Sequence, residues 1–333
     1  MNIRFRLAFL FPISFLLATA SNAQVKWVNV DSLYAPLPSS VQVFKTTDSL
    51  DGKPFIAYYV SARLKDMNLD FTVDTTQGRR LTPSKFYEKN NQPLLVVNGT
   101  FFSFVTNQNL NVVIKDGKVV SHTVRKVRLK ADTTLFIDKP ILRGALGITK
   151  KRDVDIAWVR SDSSKRYAYA KQSLEKEFYP LVVIDGNPEA VKRENQLSGR
   201  RFTADTSFKK WKMQTAIGGG PVLLQPGEIN ITNEQEMMFA GKAINDKHPR
   251  TCMGYTNDGY LIIMVIQGRF PGLAEGATLE QEAKLMKDLN CTEALNLDGG
   301  GSSCMLINGK ETIKPSDKGG QRPVPAVFII LNK

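Results

Sequence analysis

The sequence predicts an α+β protein with a single main domain, built from mixed or antiparallel sheets and few helices. Short apolar runs of strand character outnumber helical patterns along the 333 residues, and many are joined by Gly-containing turns typical of hairpins. Hydrophobic residues make up 42% of the chain and charged residues 23%. This composition is that of a globular protein with a sizeable core. It excludes a disordered chain, a collagen-like repeat and a polytopic membrane protein.

Residues 1–23 have the pattern of a secretory signal peptide. Arg4 and Arg6 supply a basic start, and residues 7–17 form an apolar stretch that is too short to span a bilayer comfortably. Small residues precede the expected cleavage near Ala23. We therefore expect a secreted or periplasmic protein without stable membrane insertion. The alternative interpretation of the same segment is a single N-terminal anchor helix.

The N-terminal half carries alternating strand and turn patterns. Apolar or alternating runs predict strands at residues 55–60, 69–73, 94–97, 112–115 and 118–120. The last two runs flank Asp116-Gly117, which is a common hairpin turn. We expect residues 24–93 to be a strand-rich N-terminal extension and residues 94–333 to form the main domain.

The remainder of the chain contains fewer clear patterns at first and then several strands. Residues 150–213 hold one clear strand, 181–184, among charge-rich stretches that we interpret as insertions on the scaffold. A turn at Asn257-Asp258-Gly259 leads into the nearly all-apolar run 260–266, which predicts a central strand. Further strands are expected at 294–297 and 326–331, with a hairpin at Asn308-Gly309.

One helix is clearly indicated after Thr278. This threonine can cap the helix N-terminus, and Gln281 three residues later completes a capping box. Asn290 suits the left-handed position that commonly follows the end of a helix. Between these signals, apolar residues recur at helical spacing, at positions 279, 283, 286 and 289.

The chain is strongly basic. The formal net charge is +13, and removal of Arg4 and Arg6 with the signal peptide lowers it to +11. A basic surface favours anionic partners. Nucleic acid fits poorly, because the protein is expected to be exported and its basic residues are not interleaved with aromatic ones. A carbohydrate or phosphoglycan partner fits better, and a basic surface that serves only solubility is the alternative.

Three glycine-containing turns follow or bound apolar strands. They lie at Asn98-Gly99, at Gly218-Gly219-Gly220, and at residues 298–303, which include Gly299, Gly300 and Ser302. Consecutive glycines let the backbone approach a ligand closely and direct N–H groups at an anion. For each of these turns taken alone, a tight structural turn is the alternative interpretation.

Asp298 is the leading candidate for chemistry, because it is expected at the end of a buried strand beside glycines and two hydroxyls. Such a carboxylate can act as a general acid or base or bind a cation, or it can simply cap the turn. Arg250, Arg269 and Arg322 lie at strand ends or beside glycines. Guanidinium groups there can hold phosphate or carboxylate through paired hydrogen bonds, although each could instead form a surface ion pair.

Several other chemistries fit poorly. The chain has no G-x-S-x-G nucleophile elbow, Walker A lysine, H-E-x-x-H motif or dinucleotide fingerprint. Its two histidines argue against a histidine-rich metal centre. No cofactor is predicted, and the sequence leaves a divalent cation open. Cys252, Cys291 and Cys304 are expected to be buried thiols, with a disulfide between the last two as the alternative in an oxidising compartment.

Five motifs in a fixed order resemble those of the phosphodiester glycosidase family. They are Asn-Gly-Thr-Phe-Phe at 98–102, Ile-Gly-Gly-Gly-Pro-Val-Leu at 217–223, His-Pro-Arg-Thr with a later Gly at 248–254, Asn-Leu-Asp-Gly-Gly-Gly-Ser-Ser at 296–303, and Pro-Ser-Asp with a later Arg-Pro-Val at 315–324. The resemblance runs from residue 94 to the end and is strongest from residue 214 onward.

The resemblance implies an exported hydrolase that cleaves a sugar-1-phosphodiester, releasing the sugar and leaving a phosphomonoester. For this reaction Asp298 is expected to be the base or nucleophile, with Arg250 and Arg269 as catalytic clamps. Asn98 is expected to hold sugar hydroxyls. The other expected substrate-binding residues are Gly99, Gly218, Gly219, Gly220, Thr251, Gly299, Gly300, Ser302 and Arg322.

The sequence departs from the family pattern at two positions that could carry carboxylates. Gln267 stands where the family usually has Asp, and Gln321 stands where Glu is common. Two other functions therefore stay open. One is a glycosidase acting on other envelope or host glycans, which a second carboxylate near Asp298, such as Asp317 or Asp258, would favour. The other is a non-catalytic glycan-binding envelope protein.

Overall fold

A computed structural model describes residues 24–124, 126–128, 136–138, 142–174 and 208–333. The predicted signal peptide at 1–23 and the predicted strand at 181–184 lie outside the described residues. In the part of the chain that is described, no helix is both long and apolar enough to cross a membrane.

The first of three large sheets has eight strands, all paired in antiparallel fashion. In spatial order they are β1 (Val28–Asn29), β2 (Val41–Thr46), β5 (Ile56–Arg63), β20 (Tyr260–Gln267), β19 (Arg250–Thr256), β21 (Cys291–Asn296), β17 (Val222–Gln225) and β18 (Glu228–Ile229). The predicted central strand is confirmed, because β20 pairs with β5 on one side and with β19 on the other. The turn at 257–259 joins β19 to β20 as the predicted hairpin.

The second and third sheets are antiparallel as well. The second contains β15 (Lys209–Trp211), β14 (Ala168–Lys171), β13 (Val154–Arg160), β12 (Arg143–Ile148), β16 (Thr215–Gly218), β8 (Val113–Lys115) and β9 (Lys118–Ser121). The third contains β23 (Lys310–Glu311), β22 (Met305–Ile307), β7 (Leu95–Asn98), β24 (Ala326–Asn332) and β6 (Leu69–Thr75). Two small ribbons pair β3 (Ser49–Leu50) with β4 (Lys53–Pro54), and β10 (Lys126–Arg128) with β11 (Phe136–Asp138).

Two α-helices accompany the sheets in the described part of the chain. They are α1 (Pro83–Lys89) and α2 (Leu279–Asp288), and single 3₁₀ turns occur at Asp31–Leu33, Gly241–Ile244 and Gly300–Ser302. The predicted capping box of α2 is present, with Thr278 and Gln281 bonded reciprocally, and Asn290 adopts the predicted left-handed conformation with φ of 59°. The protein is thus sheet-rich, and the label α+β describes it only approximately.

The main core lies where the three sheets face one another. Val60 of the first sheet, Ile156 of the second and Phe328 of the third belong to one buried apolar cluster. A second cluster fills the space between the first sheet and α2, and includes Met264 and Met286. Burial of this much apolar surface is the main favourable term in folding.

Strands from residues 24–93 are built into two of the large sheets. β5 pairs with β20 along its whole length, and β6 pairs with β24 in the third sheet. The N-terminal strands therefore share sheets with strands from the C-terminal part of the chain.

Glu236 is a buried carboxyl group that links the first two sheets. It accepts hydrogen bonds from the backbone N–H of Gly144 at 2.7 Å and of Val222 at 2.7 Å, and from the indole of Trp158 at 3.1 Å. Burial raises the pKa of Glu236. Because all of these donors belong to strands of the two sheets, we assign Glu236 a structural role.

The three cysteines are buried free thiols, as predicted. Cys291 begins β21 in the first sheet, whereas Cys304 precedes β22 in the third sheet. The alternative disulfide between them is not formed, and burial raises the pKa of both thiols.

The capping box gives a testable prediction about stability. Replacing Thr278 with Ala removes the hydroxyl that accepts a hydrogen bond from the Gln281 N–H, so the free energy of unfolding should fall by about 1 kcal/mol. Thr278→Ser keeps the acceptor and is the matched control. Chemical denaturation measures both variants, and equal stability of the Ala and Ser variants would contradict the assigned cap.

Candidate active site

The candidate site lies at the strand ends of the first sheet, where β19 begins and its neighbours β20 and β21 end. The turn after β21 is held there by backbone hydrogen bonds to neighbouring strands. The Leu297 N–H donates to the Thr251 carbonyl at 2.8 Å. The Asp298 N–H donates to the Gly99 carbonyl at 3.0 Å, and the Gly300 N–H donates to the Pro249 carbonyl at 2.8 Å. These bonds fix the backbone of the glycine turn from both sides.

The side chain of Asn98 connects the same segments from below the turn. Its amide donates to the Asp298 carbonyl at 2.6 Å, and its oxygen accepts from the Thr251 hydroxyl at 2.9 Å and the Cys304 N–H at 3.1 Å. Asn98 and Thr251 are both fully buried. The structure therefore gives both residues positions that hold Asp298 in place, while the predicted contact of Asn98 with sugar hydroxyls stays a prediction.

Asp298 itself is half-buried at the end of β21. Burial raises the pKa of its carboxyl from 3.8 to about 7, although the Ser302 hydroxyl, the charge of Arg322 and the Gly299 N–H all favour the ionised form. A carboxyl with a pKa near neutrality can exchange protons at physiological pH. Such a shift in a cleft is a common property of catalytic groups.

Arg322 acts on this carboxyl through its charge and is linked to it through the Ser302 hydroxyl. Its Nε donates to Asp317 at 2.7 Å, and its Nη1 donates to the Ser302 hydroxyl at 3.4 Å. The guanidinium also packs on the backbone of Gly301, where any Cβ would overlap it. Glycine at position 301 therefore leaves room for the cation to reach the turn.

Arg269 approaches the turn from the end of β20. Its guanidinium packs over Gly300, with Nη2 only 2.9 Å from the point where a Cβ would stand. Among the described residues this guanidinium has neither a hydrogen bond nor an ion pair, so its donors are available to an anion. Arg269 adopts a left-handed φ of 66°, which is unusual for a residue with a side chain and often occurs at functional sites.

Arg250 points away from the carboxyl. Its Nε donates to the Ala277 carbonyl at 2.9 Å and its Nη2 to the Asp246 carbonyl at 3.2 Å. Arg250 is buried beside Glu282 of α2. Burial also raises the pKa of the Glu282 carboxyl to about 7. The structure thus brings Asp298, Arg269 and Arg322 together at the glycine turn but uses the Arg250 guanidinium to anchor the start of β19.

The two other predicted glycine turns serve close packing beside the site. A Cβ on Gly99 would stand 2.7 Å from Ile217, and one on Gly218 would stand 2.6 Å from Asn111. Gly219 lies against the backbone of Asn296, which is two residues before Asp298, and Gly220 lies against Glu236. The ligand contacts predicted for Gly99 and Gly218–Gly220 stay predictions.

The two glutamines that depart from the family pattern have clear structural partners. Gln267 accepts a hydrogen bond from the Lys314 N–H at 2.9 Å. Gln321 accepts from the Ser84 N–H at 2.8 Å and donates to Glu311 at 2.6 Å. Both amides hold loops around the site. Their hydrogen bonds do not need the negative charge that a carboxylate would bring to either position.

Neither Asp317 nor Asp258 is placed to act as a second acid for Asp298. Asp317 is bound to Arg322, and that hydrogen bond holds the pKa of Asp317 below its ordinary value. Asp258 lies in the turn between β19 and β20, at the opposite end of those strands from Arg250. The described residues contain no cluster of three or more His, Cys, Asp or Glu side chains that could hold a metal ion.

Sequence reasoning missed two features of the site. One is the Asp317–Arg322 pair, whose members are five residues apart in a loop without regular structure. The other is Phe104, an exposed ring 5.4 Å from the Arg322 guanidinium. The motif Phe101-Phe102 was the nearest signal for an aromatic group here, but nothing in the sequence indicated that the following loop reaches Arg322.

Comparison with known proteins points to one family. Residues 190–331 match the family model described as phosphodiester glycosidase. Mouse N-acetylglucosamine-1-phosphodiester alpha-N-acetylglucosaminidase is 32% identical over 89 residues, which are 27% of this chain and 17% of that protein. The prophage-derived uncharacterized protein YomE of Bacillus subtilis is 38% identical over 74 residues, 22% of this chain and 11% of that protein. This chain therefore spans less than a fifth of the length of these relatives.

Solved structures share the fold over most of the chain. A hypothetical protein from Synechocystis aligns with a TM-score of 0.62 and 13% identity, covering 89% of this chain and 63% of that one. A second solved structure is the catalytic domain of zebrafish N-acetylglucosamine-1-phosphodiester alpha-N-acetylglucosaminidase, auto-inhibited by its pro-peptide. It aligns with a TM-score of 0.57 and 19% identity, and the alignment covers 93% of this chain and 89% of that one. The resemblance drawn from the motifs is confirmed, because residues 190–331 match the phosphodiester glycosidase family model and part of the chain aligns with relatives that bear that activity in their names.

Proposed function

We propose that this protein is an exported hydrolase that cleaves a sugar-1-phosphodiester, with a carbohydrate or phosphoglycan as its substrate. The observation that carries the proposal is the carboxyl of Asp298, whose pKa is about 7, beside the guanidinium of Arg322. Arg269 adds donors on the other side of the glycine turn. An ionisable carboxyl on a glycine turn that two guanidinium groups contact suits a substrate that contains both a reactive sugar carbon and a phosphate.

The proposed reaction breaks the bond between the anomeric carbon and the phosphate oxygen. With Asp298 as base, its carboxylate takes a proton from water while the water oxygen bonds to the anomeric carbon. The bonding electrons leave with the phosphate oxygen, which gives the free sugar and a phosphomonoester. Arg269 and Arg322 stabilise the charge that develops on the leaving phosphate. If Asp298 is instead the nucleophile, the same groups stabilise the same leaving group.

A phosphodiester suits this site better than an ordinary glycoside. A phosphate leaving group needs little protonation, whereas ordinary glycosidases use a second carboxyl as general acid. Asp317 is poorly suited to that role, because Arg322 keeps its carboxyl ionised. Asp258 lies at the far end of β19 and β20. Among the described residues, the site therefore has one carboxyl of suitable pKa, and one carboxyl is enough for a phosphate leaving group that needs little protonation.

Removing the carboxyl tests the proposed role of Asp298. We expect Asp298→Asn to lower sugar release from an α-N-acetylglucosamine-1-phosphodiester by about 10²–10⁴-fold. Asp258→Asn changes a carboxylate in a remote exposed turn and is the matched control. Sugar release is followed with and without chelator, and an Asp298→Asn variant with unchanged release would remove this residue from the mechanism.

The raised pKa predicts the pH dependence. Because Asp298 must be ionised to act as base or nucleophile, kcat/KM should rise with pH through a midpoint near 7. Below that pH the carboxyl is protonated and activity should be lost. A profile that instead falls as pH rises through 7 would assign Asp298 the role of general acid and contradict the proposed one.

The two arginines at β19 and β20 should respond differently to truncation. Arg269→Ala removes an exposed guanidinium with no protein partner among the described residues, so activity should fall about a hundredfold while stability is unchanged. Arg250→Ala removes a buried anchor and should lower the free energy of unfolding by about 2–4 kcal/mol. Thermal denaturation and sugar release separate the two effects, and a destabilised Arg269→Ala protein of normal activity would contradict this division.

A further inference from the structure

Four groups at the site lie in a fixed order of contact. The Asp298 carboxyl interacts with the Ser302 hydroxyl, and that hydroxyl accepts from Arg322 at 3.4 Å. The Arg322 guanidinium in turn lies 5.4 Å from the centre of the Phe104 ring. The spatial order of these groups is therefore carboxyl, hydroxyl, guanidinium and aromatic ring.

Phe104 is unusual because it is exposed. Its side chain is 62% exposed, and Val105 beside it is 92% exposed. Among the residues whose burial is described, no other phenylalanine or tryptophan is exposed to this extent. Phe104 and Val105 together expose carbon surface beside the candidate site, and contact with an apolar group of a ligand would remove that surface from water.

The loop that carries Phe104 is well anchored. The Ser103 N–H donates to the Gln108 carbonyl at 2.9 Å, and the Asn107 N–H donates to the Ser103 carbonyl at 2.8 Å. The Asn107 side chain also donates to the Gly78 carbonyl at 3.3 Å. Phe104 is thus held at a defined position without being buried there.

The surroundings of the ring are cationic and aromatic. Phe102 supports it at 4.8 Å between ring centres, and the Arg80 guanidinium lies 5.4 Å from the Phe104 ring and 5.2 Å from the Phe102 ring. With Arg322, two guanidinium groups therefore contact the Phe104 ring. Such contacts orient the ring and bring positive charge next to its apolar face.

We propose that Phe104 forms a subsite for an apolar alkyl or aryl group carried on the phosphate of the substrate. The proposal rests on the proposed function and adds the class of aglycone. A sugar-1-phosphodiester has the order anomeric carbon, phosphate, aglycone, which matches the order Asp298, Arg322, Phe104. The reactive carbon lies at the carboxyl, the phosphate at the guanidinium, and the aglycone on the exposed ring.

The chemistry of this rim favours an apolar aglycone over a further sugar. Phe104 and Val105 present carbon surface, and the neighbouring charged groups, Arg80 and Arg322, are donors suited to the phosphate oxygens. Sugar hydroxyl groups both donate and accept hydrogen bonds, and the guanidinium groups of this rim can only donate, whereas an alkyl or aryl group gains from leaving water on contact with the ring.

The first test compares two aglycones on the same sugar phosphate. Methyl and benzyl diesters of α-N-acetylglucosamine 1-phosphate are given to the wild type and to Phe104→Ala, Phe104→Tyr and Met67→Ala. We expect the wild type to prefer the benzyl diester about tenfold in kcat/KM, through a lower KM. Phe104→Ala should reduce this ratio to about one, and Phe104→Tyr should restore it. Met67, an exposed side chain in the loop between β5 and β6, is the control for loss of surface carbon.

A second measurement keeps the subsite separate from the reaction. Calorimetry compares binding of benzyl phosphate and methyl phosphate, which resemble the phosphomonoester product, to the same variants. About tenfold tighter binding of benzyl phosphate that is lost only in Phe104→Ala supports the subsite. Equal binding of the two ligands to the wild type would overturn it. If neither diester releases sugar, the proposed function is wrong, while the binding comparison still decides the subsite.

Discussion

The buried amide of Asn98 is the interaction on which the candidate site depends. It joins the end of β7, the start of β19 and the backbone of Asp298 through three hydrogen bonds within the interior. A buried amide whose nitrogen and oxygen are both hydrogen-bonded resists displacement, because breaking those bonds leaves an unsatisfied polar group. The first and third sheets therefore meet at a fixed distance, and the glycine turn is carried at that junction.

This fixed junction accounts for the electrostatics of the site. The turn holds the Asp298 carboxyl in a half-buried place where desolvation raises its pKa to about 7, while Arg322 keeps the ionised form accessible. Glycines at 300 and 301 let two guanidinium groups reach the turn, since side chains there would occupy the space of the cations. The site thus combines one proton-exchanging group with donors for an anion. The basic net charge, +13 for the whole sequence and +11 without the predicted signal peptide, would favour approach of the proposed anionic substrate.

Sequence reasoning predicted much of the framework but less of the site. The capped helix after Thr278, the central strand β20 and the hairpins followed from local patterns, because capping, apolar runs and Gly-containing turns act between near neighbours. The three-sheet arrangement did not follow, since it depends on pairing between distant segments such as β6 and β24. The family resemblance assigned Asp298, Arg250, Arg269 and Arg322 to one site, but it did not separate them. The contacts of Arg269 and Arg322 with the glycine turn, the inward anchoring of Arg250 and the approach of Phe104 to Arg322 all depend on packing of distant segments.

The central claim is that the fold holds the Asp298 carboxyl in a state that can gain or lose a proton near neutral pH. Nuclear magnetic resonance titration of the carboxyl carbons, assigned by comparison with Asp298→Asn, measures this directly in the folded protein. We expect a midpoint near 7 for Asp298, with Asp317 titrating below its ordinary range because of its bond to Arg322. An Asp298 midpoint of about 4, the value of an ordinary exposed aspartate, would show that the fold leaves this carboxyl unperturbed.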